Sequence, residues 1–291
     1  MSTAQEFHYR LASRVRGTRP GSHPASSIGA GQEFVSHMRL YDRPDPRRLD
    51  LRASLREVRG EWLIRVTRQR ASISVYAVVD VSRSMQFGSE RPKLASVAEF
   101  LESLGLSAFR AGDALGMLAF DTRERTDLFV PARTSRGMGT LMAAKLRGHA
   151  YAGAGDVPRA GGSRGLEQAV SLLAGREGLV FVVSDFHWPL ERLSVVLDAL
   201  AHAFVVPIVV WDRAEVEPPS RNGIAFLEDS ESGAQRTLWM RPGLRARWRE
   251  AVAAHRERLD RLFEVRGVRP YYLLGSFDAQ SLSRYFVENA A

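Results

Sequence analysis

Two apolar runs that each end in an aspartate dominate the hydrophobic pattern of the chain. They are Ile73-Ser74-Val75-Tyr76-Ala77-Val78-Val79-Asp80 and Leu179-Val180-Phe181-Val182-Val183-Ser184-Asp185. Continuous runs of this length, rich in β-branched and aromatic residues, predict strands buried on both faces. Between them the period lengthens. Leu94, Val97, Leu101, Leu104 and Ala108 recur at helical spacing and predict an amphipathic helix over 92–110. A strand follows over 115–120, then a strand near 128–130, a helix near 140–146, a Gly-rich loop over 153–162 and a helix over 166–173. After the second aspartate-ended run come a helix over 190–204 and a buried strand over 205–211. Helical crossovers join parallel neighbours, so the expected fold class is α/β, a doubly wound, Rossmann-like sheet. The C-terminal extension predicts a hairpin over 224–240, a charged helix over 244–263, a strand over 271–274 and a helix over 279–287.

Upstream of the first run the pattern is weaker. Residues 1–30 combine Arg, Pro, Ser and Gly without apolar periodicity and predict an extended or mobile arm with little core. Residues 31–70, with Phe34, Met38, Leu40, Tyr41 and the Pro-broken turn Arg43-Pro44-Asp45-Pro46, predict an irregular subdomain packed on the main sheet. The expected boundaries are therefore 1–30, 31–70, a core over 71–214 and an extension over 215–291.

Composition narrows the chemistry. The 291 residues are 45% hydrophobic and contain no Cys, which excludes disulfides, thiolate zinc sites and cysteine nucleophiles. The most apolar stretch, 203–211, is far shorter than the ~18 residues of a membrane span, and residues 1–6 do not read as a secretory signal. A cytoplasmic protein is the expectation. Of the net charge of +8, residues 1–70 supply 14 Arg and no Lys against 7 Asp and Glu, or 14 − 7 = +7. Such a segment suits an acidic protein surface or nucleic acid. Interspersed acids and the lack of any nucleic-acid motif disfavour the second.

The candidate chemistry sits where the two runs end. Asp80, Ser82 and Ser84 form D-x-S-x-S, Ser163 follows Gly161-Gly162 just before a helix, and Asp185 closes the later strand. Hard oxygen donors at the carboxyl ends of strands suit Mg²⁺ or another divalent cation. The competing reading of each segment is a capped turn, since Ser and Asp are ordinary caps. Asp121 follows another apolar strand and either joins the site or begins a turn. His187 and Trp188 either line its rim or pack. No P-loop, dinucleotide fingerprint or His-metal spacing is present. A Mg²⁺-dependent phosphohydrolase using Asp80 is the alternative, but the usual D-x-D is absent and Ser82 stands where the acid would be.

The three segments, in this order, resemble the metal-ion-dependent adhesion site of von Willebrand factor A-like domains, with Ser163 where that family usually has Thr. The resemblance implies that Ser82, Ser84 and Ser163 touch the metal, that Asp80 and Asp185 act directly or through water, and that an acidic residue of a client protein completes the coordination. Further motifs are Gly31-Gln32-Glu33-Phe34, Arg39-Leu40-Tyr41, Asp45-Pro46-Arg47-Arg48-Leu49-Asp50, Met85-Gln86-Phe87-Gly88 with Lys93, and Ala111-Gly112-Asp113. They are similar to the bacterial von Willebrand A-like family of unknown function that accompanies MoxR-type AAA+ ATPases. Residues 44–56, with Glu6-Phe7-His8-Tyr9-Arg10, are similar to the narrower group of S proteins from methanol dehydrogenase gene clusters. The resemblance implies a non-enzymatic binding module that helps assemble, activate or load metal into a client such as methanol dehydrogenase, with a MoxR-type ATPase as partner. Arg47, Arg48, Asp121, His187 and Trp188 are the candidate partner contacts.

Overall fold

The computed structural model describes residues 4–11, 20–29, 31, 33–151, 162–228 and 235–289. The chain divides into two compact units, Leu11–Ile73 and Met1–Arg10 with Ser74–Ala291. In the first, β1 (Pro20–Gly29), β2 (Glu33–Arg39) and β3 (Leu63–Ala71) form an antiparallel sheet in the order β1-β3-β2. Ile64 and Val66 are buried and Arg65 between them is exposed, the alternation of a half-buried strand. The expected irregularity of 31–70 thus gives way to regular pairing. Strand β2 was illegible because neither of its faces is buried, so hydrogen bonding to β3 defines it and periodicity does not. Between β2 and β3 lie a tight turn, Pro46–Arg48, and the one-turn helix α1 (Leu51–Ser54), whose Ala53 N–H is capped by Asp50 Oδ1 at 3.0 Å.

The second unit runs β4 (Ser74–Asp80), α2 (Lys93–Ala111), β5 (Ala114–Phe120), β6 (Val130–Arg133), α3 (Met138–Tyr151), α4 (Gly162–Ser171) and β7 (Gly178–Ser184). It continues with α5 (Leu193–Ala199), β8 (Ala203–Trp211), α6 (Arg213–Val216), the hairpin β9 (Gly223–Glu228) and β10 (Gln235–Met240), α7 (Pro242–Glu264), β11 (Tyr271–Leu274) and α8 (Ala279–Glu288). Its six-stranded sheet has the order β11-β8-β7-β4-β5-β6, parallel except for β6. The chain steps outward from β4 through β5 to β6, then restarts at β7 on the other side of β4. The doubly wound expectation is met, and the switch point lies between β4 and β7, where such sheets bind ligands.

Side chains alternate across β7. Val180 and Val182 join Leu166 and Val170 of α4 and Leu259 and Phe263 of α7 in one apolar layer. Phe181 points the other way, 5.3 Å from the Phe100 ring of α2 and 6.2 Å from Phe286 of α8. Phe7 completes that cluster, 1% exposed and stacked on Phe100 and Phe286. The described part of the first 30 residues is therefore built into the fold: Phe7 is core and 20–29 form a strand. Helices α2 and α3 cross in backbone contact, because Gly105 and Gly139 leave no room for a side chain; a Cβ on Gly105 would lie 2.4 Å from Gly139 Cα.

Two expected elements shift. The helix over 190–204 becomes a turn, Leu190–Arg192, followed by α5, because residues 203–204 pair with β7 instead. The strand near 128–130 starts only at Val130, after a turn over Thr126–Leu128. Most of the Gly-rich loop, including Gly161, and the hairpin tip over 229–234 lie outside the described residues. Among the described residues no helix is long and apolar enough to cross a membrane.

Candidate functional site

The register of β4 against β7 pairs Val79 with Val183, which sets Asp80 level with Ser184 and places Asp185 just beyond. Asp80 is fully buried. Its Oδ1 accepts the Ser82 N–H at 2.9 Å, and its Oδ2 accepts the Ser184 hydroxyl at 2.5 Å. Having donated its only proton, the Ser184 oxygen accepts two bonds, from Phe186 N–H and Trp188 Nε1–H, both at 3.0 Å. Trp188 is 8% exposed, so it orients Ser184 from inside and offers little to a partner at the rim. Phe186 between them has φ 54°, uncommon for a bulky residue, and its buried ring packs on Trp188 and Phe263.

Ser82 and Ser84 bring their Oγ atoms to 3.1 Å, and the Ser84 hydroxyl bonds the Asp185 carboxylate. Asp185 Oδ1 accepts the His187 N–H at 3.2 Å. Its Oδ2 lies 2.7 Å from the ammonium of Lys93, which also reaches Glu215 Oε1 at 2.8 Å. The two aspartates divide electrostatically. Burial, and then the negative charge of Asp185, push the Asp80 carboxyl up to about 7. Burial acts the same way on Asp185, but the Lys93 ammonium overrides it and holds Asp185 below the usual range. Lys93 loses hydration on burial and is nonetheless held above its ordinary value by Asp185 and Glu215, so it stays charged.

The donors fit a small divalent cation. Oxygen ligands at right angles around magnesium, each roughly 2.1 Å from it, are separated by about 3.0 Å, and the two serine hydroxyls are 3.1 Å apart. Ser82 and Ser84 are the residues that would hold the ion directly. Asp80 and Asp185, each with both oxygens already engaged, would act through water. Asp185, His187 and Glu215 form a second set of donors lying within 4.8 Å of one another, with Lys93 bridging its two carboxylates.

Ser163 is half-buried in the first turn of α4, where Gly165 packs on the backbone of Asp121 at the carboxyl end of β5. It thus stands at the same end of the sheet, but among the described residues no hydrogen bond ties it to Asp80, Ser82, Ser84 or Asp185. Asp121 begins a turn: its carboxylate accepts the Arg123 N–H at 3.1 Å and pairs with Arg125 at 2.8 Å. His187 is partly exposed, 3.8 Å from Glu215 and stacked on Trp211. Arg47 and Arg48 belong to the other unit; Arg48 pairs with Asp45 and Arg47 is exposed.

Sequence reasoning did not single out Ser184, Trp211 or Glu215, and it treated Lys93 only as part of a flanking motif. Glu215 had a signal in the capping box Asp212-Arg213-Ala214-Glu215 after β8, in which Glu215 Oε2 accepts the Asp212 N–H at 2.8 Å. Beside this cluster a cavity of about 650 Å³ opens between α6, α7 and β10, and His187 and Glu215 form its border with the acidic site.

A family model described as protein of unknown function DUF58 matches residues 37–258, more than half of the chain. The chain belongs to the DUF58 family. This DUF58 protein is 31% identical over 256 residues to the uncharacterized protein Rv1480 of Mycobacterium tuberculosis, covering 84% of this chain and 74% of that one. It is 30% identical over 92 residues to an uncharacterized protein in the moxR 3′ region of Paracoccus denitrificans, covering 32% of this chain and 88% of that protein. Among solved structures it is similar to an aerotolerance-related membrane protein of Bacteroides fragilis, with 14% identity, a TM-score of 0.44 and coverage of 75% and 98% of the two chains. A second is BatB of Bacteroides thetaiotaomicron, with 14% identity, a TM-score of 0.41 and coverage of 75% and 99%.

Proposed function

We propose that this DUF58 protein is a metal-dependent protein-binding module working with a MoxR-type AAA+ ATPase in the assembly, activation or metal loading of a client complex. The observation that carries the reading is the gathering of Asp80, Ser82, Ser84 and Asp185 at the switch point, with hydroxyls as the available ligands. Neutral hydroxyls leave a divalent ion with residual positive charge, which favours a carboxylate supplied by another protein. Lys93 offsets one of the two aspartates and strengthens that preference. The relative named for the moxR 3′ region supports the choice of ATPase. Methanol dehydrogenase is the client suggested by the resemblance of residues 6–10 and 44–56.

The buried, doubly hydrogen-bonded carboxylate of Asp80 counts against its use as a nucleophile, since neither oxygen is open to a substrate. The test is co-purification of the tagged chain with the MoxR-type ATPase and its client in Mg²⁺ and in EDTA, beside Asp80→Ala. Loss of the client in EDTA and in the variant is expected. Equal recovery under all three conditions removes the metal-dependent reading.

A further inference from the structure

The proposed site accounts for an acidic residue of the client and says nothing of what surrounds it. The adjoining cavity does. Its volume of about 650 Å³ falls within the range of ligand pockets. Trp211, Val216, Trp248 and Val252 give it apolar walls, and the wall is braced by the Trp248 indole N–H, which donates to the Glu215 carbonyl at 2.8 Å. At the rim stands Arg247, exposed and without an ion pair among the described residues. A cavity with apolar walls and one outward guanidinium is complementary to a segment that carries an apolar side chain and a negative charge.

Its position fixes the spacing of such a segment. His187 and Glu215 belong both to the cavity wall and to the cluster that contains Asp185. An extended chain advances about 3.4 Å per residue, so an acid entering the metal site and a side chain entering the cavity must be neighbours or nearly so in sequence.

Resting on the metal-site reading, we infer that the client is recognised through an acidic residue followed within one or two positions by a large aliphatic or aromatic residue. The acid completes the metal site, the apolar side chain fills the cavity, and a further acid beyond it meets Arg247. A membrane or free nucleic acid offers no such alternation.

The test uses the full chain and two peptides, N-acetyl-Asp-Leu-Asp amide and N-acetyl-Asp-Gly-Asp amide, titrated by calorimetry and by intrinsic tryptophan fluorescence, to which Trp211 and Trp248 of the cavity wall contribute. In Mg²⁺ the Leu peptide is expected to bind about tenfold more tightly, since one buried leucine supplies at least that factor. Ala251→Trp, on the exposed side of the cavity in α7, is expected to reduce the preference below about twofold. Arg247→Glu is expected to weaken both peptides. Equal binding of the two peptides, no binding of either at millimolar concentration, or a preference that survives Ala251→Trp overturns the inference. Octanoate binding as tightly as the Leu peptide overturns it in favour of a free fatty acid. The two readings fail separately: a Leu preference that persists in EDTA keeps the cavity and removes the metal, whereas Mg²⁺-dependent binding without preference does the reverse.

Discussion

The Lys93 ammonium and the Asp185 carboxylate meet at 2.7 Å with side chains only 2% and 1% exposed, a fully buried ion pair. A buried pair of this kind contributes little net stability, but removing one partner leaves the other charged and unsolvated. Lys93→Met is expected to cost roughly 3–5 kcal/mol in EDTA. Mg²⁺ should recover part of that loss by replacing the missing positive charge, and Lys93→Met with Asp185→Asn should recover most of it without metal. Urea melts of the three proteins with and without Mg²⁺ check this.

Asp80 sets a pH dependence of opposite sign to the usual carboxylate. Its folded value of about 7 lies above the ordinary 3.8 of an aspartate, so between these values the folded chain keeps a proton that the unfolded chain has lost. Stability of the metal-free protein should therefore be greatest below about pH 4 as far as this group is concerned. It should fall by up to about 1.4 kcal/mol per pH unit until pH 7, and level off above. Asp80→Asn should remove that slope. Melts across this pH range in EDTA, wild type beside variant, measure it; an unchanged slope in the variant rejects the assignment.

Ser184→Ala tests the support beneath Asp80. The hydroxyl it deletes is the one that holds Asp80 Oδ2 and that receives the Trp188 indole. Groups that orient a metal-site residue from behind typically change affinity 10–100-fold, so Mg²⁺ affinity by calorimetry should drop by at least about tenfold. The far-ultraviolet spectrum should stay as in wild type.

Phe7→Ala tests whether the first residues belong to the core. Loss of a ring packed among Phe100, Phe181 and Phe286 should cost about 3–5 kcal/mol. Thermal melts give the answer, and a change under 1 kcal/mol means that the segment is only loosely held.

Much of the sheet was legible because β4, β7 and β8 are continuous apolar runs and α2 keeps a clean helical period. The aspartates of β4 and β7 were legible for the same reason, each standing at the end of such a run. Their partners were not. Lys93 pairs with a residue 92 positions away and Glu215 reaches Lys93 across 122, and no spacing rule connects positions so distant. Ser184 looked like one more strand residue, because its role depends on a lateral neighbour in β4. Phe7 was missed since a single buried ring has no period to detect. The regular sheet of 20–71 was missed because β2 buries neither face.

The packing of Phe7 also orders events during synthesis. The segment around it is fastened to α8, where the His8 N–H donates to Ser283 Oγ across 275 residues of chain. A growing polypeptide cannot make that contact until residue 283 has left the ribosome. At synthesis rates of about 5–20 residues per second, the segment around Phe7 must wait on the order of ten seconds or more for its seat. Throughout that interval the Phe100 and Phe181 rings lack the cover of Phe7, and an uncovered aromatic pair is a surface that other apolar segments can reach before Phe7 does.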